Sequence, residues 1–318
     1  MRAVVVGAGS WGTAFARLLA DHQHEVVLAA RDAEQVRAIN ETHRNPKYLP
    51  NVHLEGVRAE TIAGAPFDAA ELVVVAVPSA VFGETVGAVP GSCPILSLTK
   101  GLDPATGERL SQRVEDRPVA VLSGPNIAEE IADGLPCATV VASDDKGLAE
   151  TLQREINSSV FRVYVNEDML GVELCAAAKN VMALAAGGVD GLGLGDNAKA
   201  ALITRGLVEM ARLAEAYGAR PETFSGLAGM GDLIVTCYSR HGRNRRAGEL
   251  IAQGATADEA RAKIGHVVEG LTTAPVLRDL GHRLGIDLPI TEGVCAVLEG
   301  QTLQELVGEL MRRTPTSE

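Results

Sequence analysis

Three features of the chain have the residue types to do chemistry. Lys179 lies in Leu174-Cys175-Ala176-Ala177-Ala178-Lys179-Asn180-Val181-Met182-Ala183-Leu184, a helical pattern with almost no other charge after Glu173. Such a lysine either snorkels its ammonium out to water or is held where it can stabilise a developing negative charge and deliver a proton. Asp232 follows Gly229-Met230-Gly231 and precedes Leu233. It reads as a partly buried carboxylate that holds and orients Lys179, or as a helix N-cap after a glycine turn. The run Arg240-His241-Gly242-Arg243-Asn244-Arg245-Arg246 puts four arginines into seven residues of an acidic protein. Arginine forks beside asparagine and glycine make a phosphate clamp. Arg245 and Arg246 also fit a solvated helix face.

Bulk properties narrow the classes. A length of 318 residues allows two domains and a sizeable core. A net charge of −12 argues against nucleic acid and against an anionic membrane as the main partner. Aromatic residues make up only 3%, so Ala, Val, Leu and Gly must fill the interior. Cys93, Cys137, Cys175, Cys237 and Cys295 are odd in number and scattered. They read as reduced thiols of a cytoplasmic protein, with no disulfide framework and no metal site. The first strand begins at Ala3, which leaves no room for a signal peptide. The apolar run Leu72–Pro78 is too short to span a bilayer, and Lys179 and Asn180 interrupt the Ala-rich stretch near Cys175. No integral membrane association is expected.

The elements that must position these residues begin with Ala3-Val4-Val5-Val6, which runs into Gly7-Ala8-Gly9-Ser10-Trp11-Gly12 and then a helical pattern. Strand, G-x-G-x-x-G turn and helix form the dinucleotide-binding unit of a Rossmann fold. Gly7 permits the tight turn, Gly9 lets the backbone approach a pyrophosphate, and Gly12 lets the helix pack against the strand. Further strands are expected at Val26–Ala30, Leu72–Val77, Ile95–Leu98, Val119–Leu122, Thr139–Ala142 and Phe161–Val165. Most are continuous Val-rich runs, as in a parallel sheet buried on both faces. The segment Glu41–Val57 reads as an irregular loop.

Helical patterns take over from about Met169, with Met169–Ala186 and Ala198–Tyr217 separated by a glycine-rich inter-helix loop at Gly187–Gly195. The expected class is α/β: an N-terminal Rossmann-type, doubly wound, mainly parallel sheet over residues 1–166, then an all-helical substrate and catalytic domain over 167–318. Lys100 follows the fourth strand and can serve either a substrate phosphate or the ribose of a nicotinamide cofactor.

Taken together, the chain resembles the bacterial NAD(P)-dependent glycerol-3-phosphate dehydrogenase family. The resemblance rests on Gly7 to Ala14, Ser97-Leu98-Thr99-Lys100-Gly101, Ser123-Gly124-Pro125, Ala178-Lys179-Asn180-Val181, Gly229-Met230-Gly231-Asp232-Leu233 with Thr236-Cys237, Arg243-Asn244-Arg245 and Val267-Val268-Glu269-Gly270. It implies reduction of dihydroxyacetone phosphate to sn-glycerol 3-phosphate, the backbone of phospholipids. By the same resemblance Ser10, Trp11, Arg31, Ala128, Val267 and Glu269 contact the cofactor, joined by Lys100 and Arg243. Lys100, Gly124 and Asn126 lie near the substrate. Lys179 is the acid/base, and Asp232, Gly242, Arg243 and Asn244 complete the substrate site.

Two positions depart from the family pattern. Asn126 stands where Ser or Thr is usual, and Gly242 stands where Ser usually precedes the Arg-Asn pair. Asn126 keeps a donor and an acceptor, and the Gly242 N–H is expected to meet a phosphate oxygen. At the end of the second strand Arg31 favours the 2′-phosphate of NADPH, while Asp32 beside it leaves NADH open. Two other readings stand: another phosphorylated-ketone or β-hydroxyacid reductase of this plan, and a non-catalytic NADPH sensor. Oligomeric state is open, a homodimer included.

Overall fold

The computed structural model describes residues 1–312. In chain order the first elements are β1 (Arg2–Val6), α1 (Ser10–Asp21), β2 (Glu25–Ala30), α2 (Ala33–Thr42), β3 (Val57–Thr61), β4 (Leu72–Val75) and α3 (Phe82–Gly87). Then come β5 (Ile95–Ser97), β6 (Val119–Ser123), α4 (Ala128–Ala132), β7 (Cys137–Ala142), α5 (Lys146–Ile156) and β8 (Phe161–Asn166). The rest is helical: α6 (Met169–Gly191), α7 (Gly195–Tyr217), α8 (Pro221–Ser225), a π-helical turn (Leu227–Gly231) and α9 (Asp232–Tyr238). It ends with α10 (Arg243–Ala252), α11 (Ala257–Ile264), α12 (Glu269–Leu284), α13 (Pro289–Leu298) and α14 (Leu303–Arg312).

The eight strands form one sheet in the order β3-β2-β1-β4-β5-β6-β7-β8. All neighbours run parallel except β6 and β7. The order reverses between β1 and β4, the switch point at which an open α/β sheet offers a crevice at its carboxyl edge. Alternate residues of β1 feed different cores: Ala3 and Val5 pack with Phe15, Leu19 and Leu28, whereas Val4 and Val6 pack with Phe67, Phe82 and Ile95. Burial on both faces explains the continuous Val runs.

The strand β3 lies inside a stretch that the sequence leaves unassigned, and its first residue, Val57, falls in the expected loop. It is an edge strand with only Val57 and Ala59 buried, so its apolar signal is two residues long.

The chain forms two compact units that divide later than residue 166. The first comprises Met1–Ala176 with Ala219–Asp232, the second Ala177–Gly218 with the described residues from Leu233 onward. Met169, Val172 and Ala228 share a core with Val121, Val140 and Ala142, so the start of α6 and the π-helical turn pack with the sheet.

In the second unit Leu184, Ala247, Leu250, Ala260, Val268 and Leu271 form a core. The expected loop at Gly187–Gly195 is a correction: α6 continues to Gly191 and α7 starts at Gly195. Gly187, Gly188 and Gly191 are contact residues, whereas a Cβ on Gly193 or Gly195, at φ +64° and +83°, would meet nothing within 4 Å. A Cβ on Gly187 would collide with the Arg245 carbonyl of α10, and one on Gly248 with the Leu184 carbonyl of α6. Small residues here let two helix backbones approach, which outweighs the cost of glycine within a helix. Helix α6 is long and apolar enough to cross a membrane, but 89% of its apolar window is buried inside the protein, as in a core helix. The five cysteines are free thiols.

Candidate active site

The first unit carries the glycine cradle. Gly7 has φ +111° after β1, a conformation that favours glycine, and a Cβ there would strike the Ala76 carbonyl oxygen. A Cβ on Gly12 would strike the Gly7 carbonyl oxygen, so α1 seats directly on the turn. Gly9 differs: a Cβ there would meet nothing within 4 Å. It is the N-cap of α1 and no side chain caps that helix. Ser10 and Trp11 follow in the first turn. Trp11 packs edge-on against Phe15 at 5.5 Å between ring centroids. Its Nε1 is buried without a hydrogen-bond partner in the protein. An open glycine, an uncapped helix start and an unsatisfied indole N–H fit a dinucleotide pyrophosphate and its neighbouring ribose.

At the end of β2, Arg31 is exposed, and Asp32 caps α2 by accepting from the amides of Glu34 and Gln35. Asp32 is thus engaged through Oδ1 at its own helix, and Arg31 and Asp32 are both exposed at the strand end.

Three further strand ends converge with the π-helical turn. The Lys100 ammonium, beyond β5, donates to the Gly124 carbonyl at 3.0 Å and to Asp232 Oδ2 at 2.7 Å. Ser123, the last residue of β6, donates its hydroxyl to the same carboxylate oxygen at 3.3 Å. Thr99 ties β5 to the end of β4 by donating to the Val77 carbonyl at 2.8 Å. Asp232 is 1% exposed. The sequence pairs it with Lys179; Lys100 and Ser123 are partners that no local motif announces, because they lie on distant strands. The π-helical turn before Asp232 needs glycine at 229, where a Cβ would strike the Phe224 backbone.

Gly124 has φ +153°, and a Cβ would sit 3.0 Å from Thr139 Cα. The Asn126 side-chain oxygen accepts from the Thr139 hydroxyl at 3.0 Å, and its amide faces Cys137 Sγ at 4.0 Å. Burial pushes that thiol up to about 11, so the sulfur is a neutral partner. Asn126 is therefore fastened to β7. Ala128 is buried at the start of α4.

The second unit carries the lysine. Lys179 is 5% exposed, and its ammonium donates to Thr236 Oγ1 on α9 at 2.9 Å. The snorkelling reading is excluded by that burial. Thr236 is absent from the sequence-derived roles, although its spacing of four from Asp232 puts it on the same helix face. Next to Lys179, Asn180 Oδ1 accepts from Asn244 Nδ2 at 2.9 Å, and Asn244 Oδ1 accepts from the Gly270 amide at 2.9 Å. These bonds join α6, α10 and α12. Asn244 keeps one amide hydrogen beyond them.

Gly242 is the N-cap of α10, and no side chain caps this helix either. The Gly242 N–H donates to the Ser239 carbonyl at 3.1 Å, so the expectation that it is free for a phosphate is corrected. The chain doubles back tightly: a Cβ on Gly242 would lie 3.0 Å from the Thr236 carbonyl and 3.1 Å from that of Ser239. Arg243 is exposed and donates to the Val267 carbonyl at 3.2 Å. Val267 is itself exposed, and Glu269 opens α12. Arg245 is another correction. It is no solvated residue, since its guanidinium is caught by Asp190 at 2.6 Å. Among the described residues no group of three His, Cys, Asp or Glu side chains could hold a metal ion.

Comparison with known proteins identifies the family. The profile of the NAD-dependent glycerol-3-phosphate dehydrogenase N-terminus matches residues 2–149, and that of the C-terminus matches 168–307. Glycerol-3-phosphate dehydrogenase [NAD(P)+] from Stenotrophomonas maltophilia is 46% identical over 97% of this chain and 94% of its own length. The protein of that name from Geobacillus thermodenitrificans is 47% identical with the same coverage. The crystal structure of glycerol-3-phosphate dehydrogenase from Coxiella burnetii superposes with a TM-score of 0.93 at 38% identity, covering 98% of this chain and 99% of that one. With both profiles matched in order and relatives of this identity along nearly its full length, the chain belongs to the NAD-dependent glycerol-3-phosphate dehydrogenase family.

Proposed function

We propose that this protein reduces dihydroxyacetone phosphate to sn-glycerol 3-phosphate, reversibly, with NADPH or NADH. Family membership supports the reaction, and the observation that carries the mechanism is Lys179: an ammonium, 5% exposed, held by a threonine hydroxyl on a neighbouring helix. Bound NAD(P)H supplies the hydride for the C2 ketone. The sheet-bearing unit serves chiefly the cofactor and the helical unit chiefly the substrate and catalysis. Gly7, Gly9 and Gly12 bring backbone amides and the positive end of α1 to the pyrophosphate, and Ser10, Trp11 and Ala128 line the cofactor. Arg31 takes the 2′-phosphate of NADPH. Val267 and Glu269 add cofactor contacts.

Lys179 stabilises the forming alkoxide and gives it a proton. Arg243 and the remaining amide hydrogen of Asn244 hold the substrate phosphate, which orients the ketone. Lys100, with its ammonium fixed by Asp232 and the Gly124 carbonyl, provides a second positive charge near substrate and cofactor. Substrate and product are small soluble phosphate esters, and the compartment proposed is the cytoplasm.

The test follows the loss of reduced-nicotinamide absorbance with purified protein and dihydroxyacetone phosphate, first with NADPH and then with NADH. Turnover that requires the phosphorylated ketone is expected. Tight NADPH binding without turnover on any ketone phosphate would overturn the reading in favour of a sensor.

A further inference from the structure

One charged cluster in the second unit has no part in the chemistry above. Asp190 lies in the last turn of α6, eleven residues beyond Lys179. At 100° per residue this returns to within about 20° of the same helix face, roughly 16 Å along the axis. The Asp190 carboxylate is shared by two cations. Lys199 of α7 donates to Oδ1 at 3.0 Å and Oδ2 at 2.8 Å, and Arg245 of α10 donates to Oδ2 at 2.6 Å. The Lys199 side chain is 7% exposed, and its ammonium also lies 4.6 Å from the ring centroid of Tyr238, the last residue of α9.

Arg245 does more than neutralise Asp190. Its Nε donates to the Ser239 carbonyl at 3.2 Å, and its Nη1 also faces Glu249 at 3.6 Å. One planar guanidinium therefore fastens the end of α9 to the end of α6 while standing in the first turn of α10. Ser239 to Gly242 is the turn that delivers Arg243 and Asn244, and its own closure is the Gly242 amide on the same Ser239 carbonyl. The backbone beneath is equally constrained, because Gly187 lets the Arg245 carbonyl rest on α6. The two cations outweigh burial and hold the Asp190 carboxyl below its ordinary range, so the anion persists at neutral pH.

We propose that Asp190, Lys199 and Arg245 form a positioning set that fixes the Ser239–Gly242 turn and thereby places Arg243 and Asn244 for the substrate phosphate. The inference rests on the reading of Arg243 and Asn244 as the phosphate clamp. Arginine is required at 245 because only a fork reaches both the Ser239 carbonyl and the carboxylate; lysine keeps the charge and loses one arm.

The experiment compares Arg245→Lys, Asp190→Asn and Arg243→Ala in the full-length protein. The readouts are KM for dihydroxyacetone phosphate, the inhibition constant of inorganic phosphate, KM for NADPH, kcat and melting temperature. Arg245→Lys is expected to raise KM for the ketone phosphate and the phosphate inhibition constant together, by about tenfold to a hundredfold. Its KM for NADPH should rise less than the phosphate constants, since the other cofactor contacts do not depend on this turn. Asp190→Asn should show the same pattern with a lower melting temperature, since the buried Lys199 loses its carboxylate and Arg245 keeps only the longer carboxylate contact to Glu249. If Asp190→Asn does not fold, Arg245→Lys carries the test alone. An Arg245→Lys protein with unchanged phosphate constants overturns the positioning role. If Arg243→Ala also leaves those constants unchanged, the clamp reading itself has failed; if Arg243→Ala raises them and Arg245→Lys does not, only the positioning role has.

Discussion

The Lys100 ammonium stands 2.7 Å from the Asp232 carboxylate, and the pair is nearly closed off from solvent, with side-chain exposures of 16% and 2%. The pair joins the end of a sheet strand to the start of α9. Its lysine also touches the Gly124 carbonyl and its aspartate the Ser123 hydroxyl. Removing one partner of such a pair strands the other charge in a poorly solvated place. Asp232→Ala should therefore lose about 3–5 kcal/mol of stability. Chemical denaturation measures this, and a loss below about 1 kcal/mol would place the pair among weak surface contacts.

The glycine cradle makes a paired prediction. Gly12→Ala places a Cβ into the Gly7 carbonyl, so the variant should be poorly soluble or melt well below wild type. Gly9→Ala meets no atom of the protein, so its melting temperature should stay unchanged. Its NADPH affinity should fall by about tenfold, the scale of one lost charged hydrogen bond of roughly 1.5 kcal/mol. Fluorescence titration with NADPH decides: an unaltered affinity in Gly9→Ala would remove that backbone from the pyrophosphate site.

Cofactor choice should turn on Arg31. Both Arg31 and Asp32 are exposed at the end of β2, but Asp32 is engaged in capping α2, which leaves Arg31 to read the 2′-phosphate. Arg31→Gln should weaken NADPH by about 10- to 100-fold, equivalent to a charged hydrogen bond of roughly 1.5–3 kcal/mol, and leave NADH within about twofold. Equal losses for both cofactors would show that the residue does not read the 2′-phosphate.

The fold was legible where one physical signal dominated. The Val runs of β1 and β4 announce strands buried on both faces, and the spacing of Gly7, Gly9 and Gly12 announces the turn after β1. Strand β3 was not legible, because an edge strand with two buried residues carries almost no apolar pattern. The run Gly187–Gly195 misled for a different reason. Glycine signals a loop locally, but here the absence of Cβ atoms lets α6 and α10 touch, which only tertiary structure reveals. In the site, the buried Lys179 and the Arg243-Asn244 pair stood out by type and context. Their partners Thr236, Asn180 and Gly270 did not, since ordinary residues acquire meaning only from the side chain placed against them.

The central claim is that Lys179 delivers the proton, and the most direct measurement is steady-state reduction of dihydroxyacetone phosphate by Lys179→Ala alongside NADPH titration of the same protein. The predicted result is a fall in kcat of about a hundred- to ten-thousand-fold with NADPH affinity within about twofold of wild type. A variant that reduces the ketone at close to the wild-type rate would contradict it.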